Sequence, residues 1–422
     1  MTLEWYMDYL KNIKSMTQLT VYLFGLILGL MPTFKFVVPL FLIPVSIFWG
    51  VRKITIDSIH ASLSVIIFCI LQLLIILLHP DNFSYSKGLF TTYLLIGIIS
   101  IPFCNLLMKT LQHRLIIENA ILHGAMLALI LLGLEALFSL KCRVNGIGVN
   151  ALLLPLNFVP LVIYIIVKRF LEQRNNYLDL LLIFSLIFGQ AIFIGSRMSF
   201  YVTFAILLVL ILVCFIRFGT KRALVVSAVV ISALGISLAV DSIANCGFKQ
   251  RVMAHTNVIK QISSVISNEN NTILSRGSEN IASSLNKIEN SSRQRTIIWD
   301  SARQHVLSDN FNWLIGNGRL VERRLTELNG ASGYSHVHNQ YLSWLIQGGL
   351  IGVLSVIILF STLLKKSFKN LAIAAFLFCY AGPLMTNSGL TNEASLAQFL
   401  LFVLFVQCVE YRKHGKDIRH DV

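Results

Sequence analysis

The stretch Ser58-Ile-His-Ala-Ser-Leu-Ser-Val-Ile-Ile-Phe-Cys-Ile-Leu-Gln-Leu-Leu-Ile-Ile-Leu-Leu78 contains no Asp, Glu, Lys or Arg. It is long enough to cross a bilayer, which takes roughly 17 to 25 helical residues. Comparable runs lie at 18–34, 36–51, 88–108, 115–140, 149–167, 177–195, 199–216, 223–240, 341–364, 371–385 and 394–409. In hydrocarbon each must be a helix, because only a helix satisfies its own backbone polar groups there. The whole chain agrees with its parts. It is 55% hydrophobic and only 13% charged, with a mean hydropathy of +0.73, whereas soluble domains carry about 25% charged residues. The reading is an all-α, polytopic membrane protein of about twelve transmembrane helices. Pro32 and Lys35 divide the first long apolar stretch into two short spans.

Outward from these runs, the short loops give an orientation, since Lys and Arg accumulate on the cytoplasmic side. With both termini cytoplasmic, nineteen cations fall inside, among them Arg52, Lys53, Lys168, Arg169, Arg174 and Lys365, against five outside: Lys35, Lys87, Lys141, Arg143 and Arg197. Much of the formal charge of +15 is then topology and not a nucleic-acid footprint. Three regions follow: helices one to nine over 1–240, a large extracytoplasmic loop over 241–340, and helices ten to twelve with a cytoplasmic tail over 341–422. Lys11 and Lys14 precede an apolar stretch with no small-residue cleavage site, so the first span reads as retained. Cys142 and Cys246 fall outside the membrane, either as a disulfide or as two thiols.

In the large loop the composition turns to Asn, Ser, Arg and Glu. Val258, Ile259, Ile262, Val265 and Ile266 suit one amphipathic helix; Ile297, Ile298, Ala302, His305 and Val306 suit a second, with Ser291 or Ser292 as its cap. The loop is short for a core of its own and is expected to pack on the outer ends of the spans. Leu314-Ile-Gly-Asn-Gly318 reads as a turn at which a phosphate could sit, and Gly348, Gly349 and Gly352 as close helix packing.

Three groups of side chains could carry chemistry. Arg197, in Gly195-Ser-Arg-Met-Ser199, lies between two spans, where it either snorkels or holds an anion. Arg293 and Arg295 precede Trp299 at the start of the second loop helix, as a phosphate clamp or as solvated loop charge. His336 and His338, in Ser335-His-Val-His-Asn339, admit metal binding, general-base catalysis or a plain structural role. Two histidines are too few ligands for a metal site, and no Asp-X-Asp or Glu-X-Asp occurs in the sequence. Together, cations at the outer face could hold a lipid-linked pyrophosphate while a histidine activates an acceptor hydroxyl. The leaving pyrophosphate would drive the transfer, and no nucleotide-binding Gly-X4-Gly-Lys-Ser/Thr loop is present.

The order of these features resembles the O-antigen ligase family, which shares a membrane domain with some O-antigen polymerases and with protein O-oligosaccharyltransferases. The resemblance covers most of the chain: twelve spans, a large loop between the ninth and tenth, Arg197 after the seventh span, Arg295 with Trp299 in the loop, and His338-Asn339 followed by Tyr341-Leu342. Arg143-Val-Asn-Gly-Ile-Gly148 with Asn150 is also similar to the family's loop before the sixth span. The resemblance implies that Arg197 and Arg295 bind the donor, an undecaprenyl-pyrophosphate-linked glycan, and that His338 is the base. Arg293, His336 and Asn339 are the neighbouring candidates. It further implies a metal-independent, inverting transfer of O-antigen polysaccharide to the outer core sugar of lipid A–core, with no cofactor, in the inner membrane of a bacterium with the large loop periplasmic.

Two other functions compete. A polymerase would lengthen the same lipid-linked glycan, but polymerases more often show two sizeable loops with arginine motifs. A transporter would carry ionisable groups at mid-membrane, whereas Glu135, His60, His79, His123 and Asp179 read as lying near span ends.

Overall fold

The computed structural model describes residues 16–30, 43–51, 54–139, 154–194, 197–244, 297–328, 337–385, 390 and 392–417. Helices account for nearly all of them, and no strand occurs among the described residues. In chain order the helices are α1 (Met16–Leu30), α2 (Ile43–Gly50), α3 (Ile56–Leu78), α4 (Phe83–Thr110), α5 (Arg114–Ser139), α6 (Leu154–Leu171), α7 (Tyr177–Gly189), α8 (Arg197–Phe218), α9 (Thr220–Ala244), α10 (297–306), α11 (Gly318–Leu328), α12 (Gln340–Ser367), α13 (Leu371–Leu384) and α14 (Glu393–Asp417). A helix lies under each of the twelve apolar runs. Seven of them are long and apolar enough to cross a membrane, and three more are shorter apolar helices. The protein is a multi-pass helical membrane protein.

Short polar side chains start these helices. The Thr55 hydroxyl accepts the Ser58 amide at α3, and Asn370 and Asn392 accept first-turn amides of α13 and α14. At α7, Asn176 and Asp179 form a reciprocal capping box. Asp179 also faces Arg169 at 3.4 Å, so its buried carboxylate is occupied structurally.

α14 is the central helix, buried along most of its apolar length, and packs on α3, α4 and α6. α12 lies along α3 and α13; α13 also contacts α6 and α8; α9 covers α7 and α8 with most of its surface outward. α1 and α5 cross closely, because a Cβ on Gly29 or Gly124 would overlap a backbone carbonyl of the opposite helix. His123 is well inside α5 and shares a hydrogen bond with Tyr22 of α1 at 3.1 Å. That position corrects the expectation that it sits near a span end. His60 and His79 do sit at the two ends of α3, bound to the Tyr411 hydroxyl and the Ile315 carbonyl.

One end of the bundle is closed by paired charges. Arg114 binds Glu118 and Glu172, Arg174 binds the same two carboxylates, and Lys168 binds Glu410 at 3.3 Å beside the Tyr164 hydroxyl. Burial pushes the Glu172 carboxyl up, but hydrogen bonds and charge from Arg114 and Arg174 outweigh it and hold the group below the usual carboxylate range. With Arg169 on Asp179, four of the cations expected on the cytoplasmic side are ion-paired. The opposite end gathers the start of α4, α8, α12 and α14, the ends of α3 and α13, and the described part of the large loop.

Candidate functional site

The site grows from the start of α12. Asn339 is extended (φ −148°), and its side-chain oxygen accepts the amides of Tyr341 and Leu342 at 3.1 and 3.2 Å, which starts the helix. His338, one residue earlier, has φ +53°. That left-handed conformation is unfavourable for a side chain with a Cβ and persists only where the surroundings impose it.

The surroundings do so on both sides. Upstream, the Val337 amide donates to Glu322 Oε1 at 3.0 Å, and its carbonyl accepts Trp299 Nε1 at 2.8 Å. The Val337 side chain is fully buried in a small apolar cluster with Ile298, Ala302, Val306, Phe311 and Ile346. Downstream, Gln340 Oε1 accepts the Leu390 amide at 3.1 Å, and the Tyr341 hydroxyl donates to the Ala381 carbonyl at 3.1 Å. α10 is therefore the expected second loop helix, with Ile298, Ala302 and Val306 inward. It packs on the start of α12, as a loop without a large core of its own requires. Burial lowers the affinity of His305 on α10 for a proton, and its ring lies edge-on to Phe311.

Beyond its first turns α12 is broken. Gly349 has φ 54° and ψ −144°, a conformation open only to glycine, so the tenth apolar run is two half-helices that meet at a kink. The loop Trp313–Asn317 fills the break. Leu350 and Ile351 donate to the carbonyls of Trp313 and Leu314 at 2.8 and 3.1 Å, and Asn317 donates back to Ile346 at 2.8 Å. This corrects the reading of Leu314–Gly318 as a phosphate site. The amides of residues 314 to 317 are spent on Asn312 and Ile346. Gly348 serves close helix packing as expected, against Ile75 of α3, whereas a Cβ on Gly352 would meet the Trp344 carbonyl of α12 itself, across the kink.

α11 then runs back over the start of α4: Arg319 donates to the Tyr85 carbonyl at 3.0 Å and Arg323 lies over the Tyr85 ring. Its buried face carries Glu322, whose Oε1 also accepts the Ser343 hydroxyl at 2.6 Å while Oε2 accepts the Gln347 amide. Sequence reading passed over Glu322. The one available signal was a carboxylate three residues from Leu325, on the apolar side of a short amphipathic helix.

Arg197 opens α8, three residues after a π-helical turn at Gln190–Ile194 that ends the preceding helix. Such turns recur at functional sites. Gln190 and Thr203 hydrogen-bond across this hairpin at 3.0 Å. The start of α8 and the start of α12 meet at the end of α13. Tyr341 holds Ala381, and a Cβ on the next residue, Gly382, would come to 2.6 Å from Val202 and 3.6 Å from Met198. The backbone of Arg197 and the His338 segment are thereby brought to one end of the bundle. Arg293, Arg295 and His336 lie outside the described residues, as do Cys142, Cys246 and the first loop helix.

Fold and site together define a multi-pass membrane protein with a polar, strained histidine segment where several helices end. The family model described as O-antigen ligase, the family that the sequence resembles, matches one segment of the chain, residues 181–357. That segment contains Arg197, Arg293, Arg295, His336 and His338. No curated protein and no solved structure matches the chain. The domain implies a membrane glycosyl-transferring activity of the ligase or polymerase kind, on lipid-linked glycans.

Proposed function

We propose that the protein is an O-antigen ligase. It takes O-antigen polysaccharide from undecaprenyl pyrophosphate and passes it to the outer core sugar of lipid A–core at the periplasmic face of the bacterial inner membrane. In this reading the chain crosses twelve times, both termini are cytoplasmic, and loop 241–340 is periplasmic. The observation that supports it best is the left-handed His338, clamped on both sides within the O-antigen ligase domain. Strain held in place at a polar residue is a mark of function rather than of packing.

His338 takes the proton of the acceptor hydroxyl as its oxygen attacks the anomeric carbon. The bond from that carbon to the pyrophosphate oxygen breaks on the opposite face, so the configuration inverts and undecaprenyl pyrophosphate leaves. Arg197 and Arg295 hold the pyrophosphate as its charge develops. Arg293, His336 and Asn339 are secondary candidates, although Asn339 already spends its side-chain oxygen on the cap of α12.

The test is transfer by purified protein from undecaprenyl-pyrophosphate-linked glycan to lipid A–core, with EDTA present. Wild type is expected to form product, and His338→Ala, Arg197→Ala and Arg295→Ala to form none while still inserting. Arg→Lys at either arginine should restore little, since an ammonium cannot make the paired contacts of a guanidinium. Lengthening of the lipid-linked glycan with no transfer to core would overturn the ligase in favour of a polymerase. Full activity of His338→Ala would overturn the base.

A further inference from the structure

Glu322 is 1% exposed, and the three donors described around its carboxylate are neutral: the Val337 amide, the Ser343 hydroxyl and the Gln347 amide. A buried carboxylate is costly to keep unless its hydrogen bonds are well formed. These bonds all bear on the segment that carries His338. Ser343 and Gln347 are one turn apart on α12, so Glu322 grips the helix just after the histidine and the backbone just before it. Trp299 completes the hold from the other side of the same residue, donating its indole N–H to the Val337 carbonyl. Both peptide units of Val337 are thus tied, one to α11 and one to α10, and the next residue is forced to φ +53°.

We propose that Glu322 is a positioning residue for transfer: through Val337 it holds the left-handed backbone that aims the His338 imidazole, with Trp299 as its counterpart on the carbonyl side. This inference rests on His338 being the base. Glu322 itself abstracts no proton from substrate. Its part is to keep the imidazole within reach of the acceptor hydroxyl, where a displacement of about 1 Å costs about 10²-fold in rate.

Three proteins decide it in the reconstituted transfer assay: Glu322→Gln, Trp299→Phe and His338→Ala. The glutamine keeps the shape but loses one acceptor oxygen, and the phenylalanine keeps the ring but loses the indole N–H. The expected result is a fall in kcat of roughly 10²-fold for Glu322→Gln, with KM for donor and acceptor unchanged. The pH dependence of the remaining rate should keep the wild-type acidic limb, because the base is still an imidazole. Trp299→Phe should lower kcat in the same manner without touching Glu322, so the idea stays testable if the first variant inserts poorly.

A Glu322→Gln enzyme at wild-type kcat, with His338→Ala inactive, would sink this inference and leave the base intact. A loss that appears in KM and not in kcat would also overturn it. A fully active His338→Ala would instead remove the base, and the positioning role with it.

Discussion

At His338 the backbone stores what the side chain is there to use. A residue with a Cβ in the left-handed region costs about 1 to 2 kcal/mol relative to glycine. His338→Gly should therefore be more stable than His338→Ala by about 1 kcal/mol, measured as the difference in thermal midpoint between the two purified variants, while both fail to transfer. Equal midpoints would mean that the clamp at Val337 imposes no strain. The residues around it were unequally legible in the sequence. His338 and Asn339 stood out as a polar pair against an apolar helix, and Trp299 as part of a loop motif. Glu322 did not, because a carboxylate among Arg319, Arg323 and Arg324 reads as a solvated charge until folding buries it against Val337, Ser343 and Gln347.

Among the elements, α12 shows how a loop and a broken helix stabilise each other. A span interrupted at Gly349 leaves amides and carbonyls without helical partners, which membrane depth does not tolerate. Trp313, Leu314 and Asn317 supply those partners. A Cβ on Gly349 would lie 2.6 Å from Gly316 N and from Trp313 O in a conformation closed to other residues. Gly349→Ala should therefore free the 312–317 loop, cost about 1 to 3 kcal/mol or more, and show as proteolysis near Trp313 with loss of transfer. Gly235→Ala is the control: nothing lies within 4 Å of its Cβ, and alanine should stabilise α9 by up to about 1 kcal/mol. Protection from protease in Gly349→Ala would show that the loop docks without the break. The sequence offered these glycines as packing positions. A φ of +54° depends on what the neighbouring loop presents, which no local pattern encodes.

For the whole molecule, the two ends of the bundle differ in kind. One is closed by ion pairs that tie α5, α6, α7 and α14 together; the other holds the histidine segment and the described part of the large loop. Lys168 and Glu410 are only 5% and 4% exposed. Removing one partner leaves a buried charge, so Glu410→Gln should lose about 3 to 5 kcal/mol in detergent. Lys168→Met with Glu410→Leu should lose less than either single change, and a double variant as unstable as the sum of its parts would show that the two side chains do not act as a pair. Transfer should survive in the double variant, because the pair is remote from His338.

Sequence alone determined the class of fold: uninterrupted apolar runs can only be helices in lipid, so an all-helical, multi-pass membrane protein follows from local composition. It also marked His338, Arg197 and the second loop helix, since a polar residue beside an apolar span is visible without coordinates. Tertiary structure alone decided that Glu322 and Trp299 converge on Val337, that α12 breaks where the Trp313–Asn317 loop enters, and that α13 joins the starts of α8 and α12. Those contacts link residues tens to hundreds of positions apart. They follow from which buried donors find which acceptors once the helices pack, and nothing in a neighbouring residue announces that.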